Sequence, residues 1–172
     1  MKKYVFISIS FAIAVVGCKT KEGTKSSESS IQLPYTATYT TDFTNHVSDS
    51  DLLTVLDSYK AWETGDVKAL RATMGDSMYV RAADGFKFAG LTDSLMKDLQ
   101  TMRDSLSSVK INMDVWLKNH SLKDSNNFVN VWYKEIDTYK TGKVDSANYE
   151  DDNGIKNGKI IWYSSHKQIL KP

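Results

Sequence analysis

The sequence predicts an α+β domain: a strongly curved antiparallel sheet wrapped around three N-terminal helices, forming a cone with an open mouth. Apolar stripes at helical spacing fill the first half of the chain, and alternating stretches separated by short turn signals fill the second. A run of helices followed by a run of strands folds as α+β rather than α/β. The 172 residues are 41% hydrophobic, 25% charged and 11% aromatic, which are globular proportions. The formal charge of +1 leaves no basic excess to attract nucleic acid, so no nucleic-acid partner is expected.

The N-terminus reads as an address. Met1-Lys2-Lys3 is cationic, and Tyr4 to Val16 is apolar except for two serines. That run falls short of the roughly 20 residues a membrane-crossing helix needs, and suits a secretory signal. It ends in Val15-Val16-Gly17-Cys18, similar to a bacterial lipobox, and Cys18 is the sole cysteine. A lone Cys in an exported chain has no disulfide partner of its own, whereas diacylglycerol on its sulfur accounts for it. Residues 1–17 are therefore expected to be a lipoprotein signal peptide, with the membrane as partner through lipid on Cys18. Lys19 after it, rather than the Asp that resembles an inner-membrane retention signal, favours the outer membrane of the cell envelope if the cell is Gram-negative. Loss of Lys2 and Lys3 leaves a net charge of −1.

Residues 18–30 hold no large apolar side chain and read as a flexible tether. Residues 31–49 form an extended arm, with Tyr35, Tyr39 and Phe43 to pack on the domain at 50–172. Leu52, Leu53, Val55, Leu56, Tyr59 and Trp62 mark the first helix, with Ser50 as its cap. Asp66 caps a second helix, which Gly75-Asp76 ends. Ser77 to Arg81 and Phe86 to Phe88 make a hairpin around Ala83-Asp84-Gly85. Thr92 caps a third helix carrying Leu95, Leu99, Met102 and Leu106. Four strands follow: Val109 to His120, Phe128 to Thr138, Val144 to Asp152 and Lys159 to Ile169, the last pair joined at Asn157-Gly158. In the first of these, strict alternation puts Ile111, Met113, Val115 and Leu117 on one face, and Asn112, Asp114, Trp116 and Lys118 on the other.

This order, with Trp62 to Leu70, Ala83-Asp84-Gly85, Gly90 and Asn157-Gly158-Lys159-Ile160, resembles the nuclear transport factor 2-like superfamily and its SnoaL-like members, over Ser50 to Ile169. The arm and lipobox resemble secreted lipoproteins of Bacteroidetes with this domain. The superfamily holds isomerases, dehydratases and cyclases beside non-catalytic binding and scaffolding members, so the resemblance alone implies no single activity. Its catalytic members project Asp and His into the cone, and many dimerise through the outer sheet face. One departure from its pattern is the acidic strand Tyr149-Glu150-Asp151-Asp152, where an aromatic is common.

The chemistry-bearing candidates are few. His166 shares a strand face with Trp162 and Ser164, expected to be the concave one, where its imidazole could serve as a base or a ligand contact. Asp114 is the carboxylate candidate. Trp116 and Trp132 either floor the cone or form an outward interface patch, and apolar residues on both faces argue for a homodimer. Glu150, Asp151 and Asp152 read as a solvated edge. No ligand spacing for a metal and no phosphate-cradling loop occurs, so no metal or cofactor is expected. Two readings follow. One is a lipid-anchored binding or scaffolding module whose pocket of Tyr59, Tyr79, Trp116, Trp132 and Trp162 takes a small apolar ligand. The other is a cofactor-free lyase or isomerase with His166 and Asp114 as acid and base.

The lipobox yields a direct test. Cys18→Ser is expected to abolish lipid attachment and leave the signal peptide uncleaved by lipoprotein signal peptidase. A wild-type chain recovered soluble and unlipidated would sink the assignment.

Overall fold

The structure, a computed structural model, describes residues 34–169. Cys18, the signal stretch, the tether and the first residues of the arm lie outside the described residues. From Ala37 onward the elements are β1 (Phe43–Thr44), α1 (Asp49–Thr64), α2 (Val67–Thr73), β2 (Met74–Arg81), β3 (Lys87–Leu91) and α3 (Thr92–Asp104). They continue as β4 (Leu106–Ser121), β5 (Asn127–Tyr139), β6 (Val144–Lys156) and β7 (Lys159–Ile169). The seven strands form one curved, unclosed sheet in the order β1-β4-β5-β6-β7-β2-β3, with the three helices against it. It is the expected α+β cone, with one addition: β2 runs parallel to β7. Local patterning carries no trace of that pairing, because the two strands are separated by most of the domain.

The inner face is set by what the helices cover. Val55 and Tyr59 of α1 and Leu95 of α3 pack on Met78, Val80, Val129, Val131, Tyr133, Ile155 and Ile160. Neighbours in sequence on each strand point the other way. Ser48, rather than Ser50, caps α1, accepting the Asp51 N–H at 3.0 Å. Asp66 caps α2 as expected, accepting from Ala69 N–H. That helix stops at Thr73, and Gly75 and Asp76 belong to β2. Thr92 opens α3, but its hydroxyl donates to the Gly75 carbonyl instead of capping. Asn157 (φ 52°) and Gly158 (φ 71°) make the tight turn joining β6 to β7, as their type demands.

The alternation expected along β4 breaks at Asp114. Met113 pairs with Tyr133 and Val115 with Trp132, so Asp114 is an extra residue with no opposite number on β5. Ile111 and Met113 face inward before it. After it the parity is reversed, and Trp116 and Lys118 face inward, Lys118 Nζ reaching Asp49 at the start of α1 at 2.9 Å. Val115 and Leu117 thus lie on the outer face, opposite to the expectation from strict alternation.

The end of α1 shows how one glycine links two helices. Gly65 closes it in the left-handed region (φ 77°). Arg103 of α3 lies across this end, donating through Nε to the Trp62 carbonyl at 2.9 Å and through an Nη to the Glu63 carbonyl at 3.2 Å. Its guanidinium thereby joins the Gly65 N–H on the Trp62 carbonyl, satisfies the Glu63 carbonyl and meets the partial negative charge of the helix end. A Cβ at Gly65 would stand 3.1 Å from that guanidinium carbon. Gly65→Ala is expected to destabilise the fold by about 1–2 kcal/mol in urea unfolding, from backbone strain plus a displaced Arg103. Unchanged stability would show that Arg103 does not depend on the glycine.

Candidate functional site

Inside the cone the chemistry converges on Asp151. Its side chain is fully buried, and Oδ2 accepts three hydroxyls: Tyr59 from α1 at 2.9 Å, Tyr133 from β5 at 2.8 Å and Tyr163 from β7 at 2.8 Å. Asn153, two residues along the same face, donates from Nδ2 to the Tyr59 hydroxyl at 3.1 Å and to the Val129 carbonyl. Burial pushes the Asp151 carboxyl up from its ordinary value, and the surrounding hydroxyls pull it back. Burial, with the Asp151 charge, also drives Tyr59 and Tyr163 well above the usual phenol range. All three rings therefore stay neutral donors. Asp151 Oδ1 and the oxygen of its cross-strand neighbour Ser165 have no hydrogen-bond partner among the described residues.

A second acidic group continues the same face. Glu135 and Asp137 follow Tyr133 on β5, with Tyr149 stacked on Tyr133 at 5.2 Å and Lys167 over the Tyr149 ring. Burial first, then the Asp137 charge, pushes Glu135 up to about 8. Asp137 is raised too, chiefly by burial. Glu135 is therefore a carboxylic acid that keeps its proton at neutral pH.

One groove of the domain shares Tyr59 with this interior. A groove of about 220 Å³ between α1 and β4 is lined by Leu56, Tyr59, Ile111, Met113 and Trp116, with Lys60 and Glu63 at its rim. Glu63 fixes that rim: it pairs with Lys60 at 2.6 Å and accepts the Ile111 N–H at 3.0 Å. A larger cleft of about 470 Å³ lies between α1, α2 and Lys159. Its hydroxyls and amine already serve the fold: Thr54 donates to the Ser50 carbonyl, Thr64 to Lys60 and Lys159 to Ala72. Of the two, the smaller groove is the one lined by a residue of the Asp151 cluster, Tyr59.

The residues singled out from sequence divide between the two faces. Tyr59 is in the buried cluster and Trp116 walls the groove, 45% exposed. Trp132, Tyr79 and Trp162 lie on the outer face, Trp162 packing edge-on to Phe128 at 6.0 Å. His166 is exposed on that face, across from Glu150, and not on the concave side as expected. Asp114 is exposed at the β4 bulge. Between Asp114 and His166 stand β5 and β6, so at about 4.8 Å per strand the two are roughly 14 Å apart. Asp151, read as part of a solvated edge, is the most buried acid of its strand. Its position is readable by counting back from the Asn157-Gly158 turn, where Asn153 pairs with Tyr163 and Asp151 with Ser165. His120, at the end of β4, is half-buried and bonds through Nδ1 to Asn127 at 2.7 Å, while Asn127 donates to Asp51 of α1.

The Glu135 acid gives a pH dependence of known sign. Its pKa is about 8 folded against 4.5 in its ordinary state, so between these values the folded chain holds a proton that the unfolded chain has lost. The stability it contributes is complete below about pH 4.5 and disappears as pH rises through 8. The total is roughly 3–5 kcal/mol. Urea midpoints from pH 5 to 9 are expected to fall for the wild type and to fall much less for Glu135→Gln. Parallel curves would mean that Glu135 is already ionised in the fold.

No protein-family model matches this sequence, and no curated protein does. Solved structures do. A nuclear transport factor 2-like protein of unknown function from Burkholderia pseudomallei aligns at 16% identity and TM-score 0.58, over 71% of this chain and 92% of that one. A nuclear transport factor 2-like protein from Anabaena variabilis aligns at 13% identity and TM-score 0.58, over 73% and 94%. An LEH-like epoxide hydrolase of M. tuberculosis aligns at 10% identity and TM-score 0.59, over 70% and 84%. At such identities the likeness concerns architecture: this chain has the nuclear transport factor 2-like fold.

Proposed function

We propose that this protein is a lipid-anchored component of the cell envelope, held at the outer membrane through Cys18, whose domain binds a small apolar ligand. The observation that carries the reading is the groove between α1 and β4, apolar on its walls and ending at a buried tyrosine. Leu56, Ile111, Met113 and Trp116 supply contact surface, and the Tyr59 ring separates that surface from the Asp151 cluster. Its 220 Å³ is below the roughly 300 Å³ at which pockets for drug-sized ligands begin, so a short acyl chain or a single ring fits best. Other proteins of this fold include an epoxide hydrolase, but an acid–base role for His166 and Asp114 has no shared reaction site here. The outer face, with Phe128, Trp132 and Trp162, is the surface through which a second copy would associate.

Binding is checked by calorimetry with hexanoate, octanoate and indole as probes, after circular dichroism shows that each variant folds. Trp116→Ala is expected to weaken the best probe about tenfold, equivalent to roughly 1.4 kcal/mol, because the indole is the largest side chain of the groove wall. The ring is partly exposed, so stability changes little. Equal affinities for wild type and Trp116→Ala, or no binding of any probe by the wild type, would remove the groove as the site.

A further inference from the structure

The arm ends in a small apolar surface that neither the groove nor the cone uses. Phe43 and Tyr39 lie with their rings 6.3 Å apart, each 41% exposed, and Leu122 on the β4–β5 turn is 61% exposed. The patch is rigidly built. The Tyr39 hydroxyl bonds to the Asp124 carboxylate at 2.6 Å, and Lys123 donates to the Tyr39 carbonyl at 2.8 Å with its ammonium over the Tyr39 ring. Leu122 N–H donates to the Asp42 carbonyl, and β1 pairs with His120 and Ser121. Lys156 leads into the neighbouring β6–β7 turn at the same end of the sheet, while Asp42 and Asp124 lie within the patch itself.

We infer that this end of the domain, with Tyr39, Phe43, Leu122 and Lys123 at its centre, rests on the phospholipid surface. The inference depends on the anchoring proposed above. Eighteen residues lie between Cys18 and Ala37, a reach of at most about 65 Å, and the chain enters the domain beside this patch. A tether of that length confines the domain near the bilayer, so contacts too weak to bind a free protein hold a tethered one. The side chains suit an interface in kind: phenol and phenyl rings at headgroup depth, with lysine ammonium groups at the phosphates. Docking here leaves the groove between α1 and β4 free, because none of its lining residues belongs to the patch.

The test uses the full lipidated chain, in which Cys18 is consumed. Leu122→Cys and Thr141→Cys each introduce one free thiol, the second on the β5–β6 turn at the far end of β5. Each is labelled with an environment-sensitive fluorophore and reconstituted into phosphatidylethanolamine–phosphatidylglycerol vesicles carrying brominated acyl chains. The label at 122 is expected to be quenched at least about twofold more than the label at 141. Equal quenching in chains that float with the vesicles overturns this orientation and leaves the anchor intact. A second copy seated on the patch, seen as label-to-label energy transfer without bromine quenching, overturns it as well. Chains that fail to float overturn the anchor, and this inference with it.

Discussion

One carboxylate oxygen, Asp151 Oδ2, holds the cone together. Three tyrosine hydroxyls reach it from α1, β5 and β7, while Asp151 itself stands on β6. Helix α1 and three successive strands thus meet at a single buried acceptor. Hydrogen bonds to a charged group contribute about 1.5–3 kcal/mol each, and an unmet buried hydroxyl costs a comparable amount. The arrangement is therefore strongly all-or-none: removing the acceptor strands three donors at once. The rings also pack on one another among the aliphatic core, with Tyr59 edge-on to Tyr133 and Tyr149 stacked beyond. Polar and apolar packing are carried here by the same side chains, which is why the interior tolerates a carboxylate.

The same packing separates two regions of opposite character along β5. Val129 and Val131 face α1 in a dry core, whereas Glu135 and Asp137 continue that face toward Lys167. A single strand face thus runs from fully apolar to proton-holding within a few residues. The groove opens where these regimes meet, at Tyr59, and not in the larger cleft behind α1.

Much of this architecture is legible in the sequence, and the reasons for the rest are physical. The helices announce themselves through stripes such as Leu52, Val55, Leu56 and Tyr59, and Asn157-Gly158 places the last hairpin. The order of elements follows. Three things are hidden. The parallel pairing of β2 with β7 has no local signature. The face assignment is ambiguous, because Trp132 and Phe128 on one side of β5 are as apolar as Val131 and Val129 on the other, and only the helices choose. Consequently Trp162 and His166 lie outside while Asp151, framed by Glu150 and Asp152, lies inside. The bulge at Asp114 compounds this, since uniform alternation on either side of it looks unbroken when read as letters.

The bulge also means that β4 cannot change length freely. Surface strands usually absorb the loss or gain of a residue by sliding to the next turn. Here, drawing Asp114 into the regular ladder would shift the pairing by one residue and turn every later side chain over. Trp116 would leave the groove wall, and Lys118 would lose Asp49. His120 would part from Asn127 and from its place opposite Thr44, where the arm joins the sheet. An apparent irregularity thus acts as a register stop, and the lineage of this domain can be expected to vary in the β4–β5 turn far more readily than within the strand leading into it.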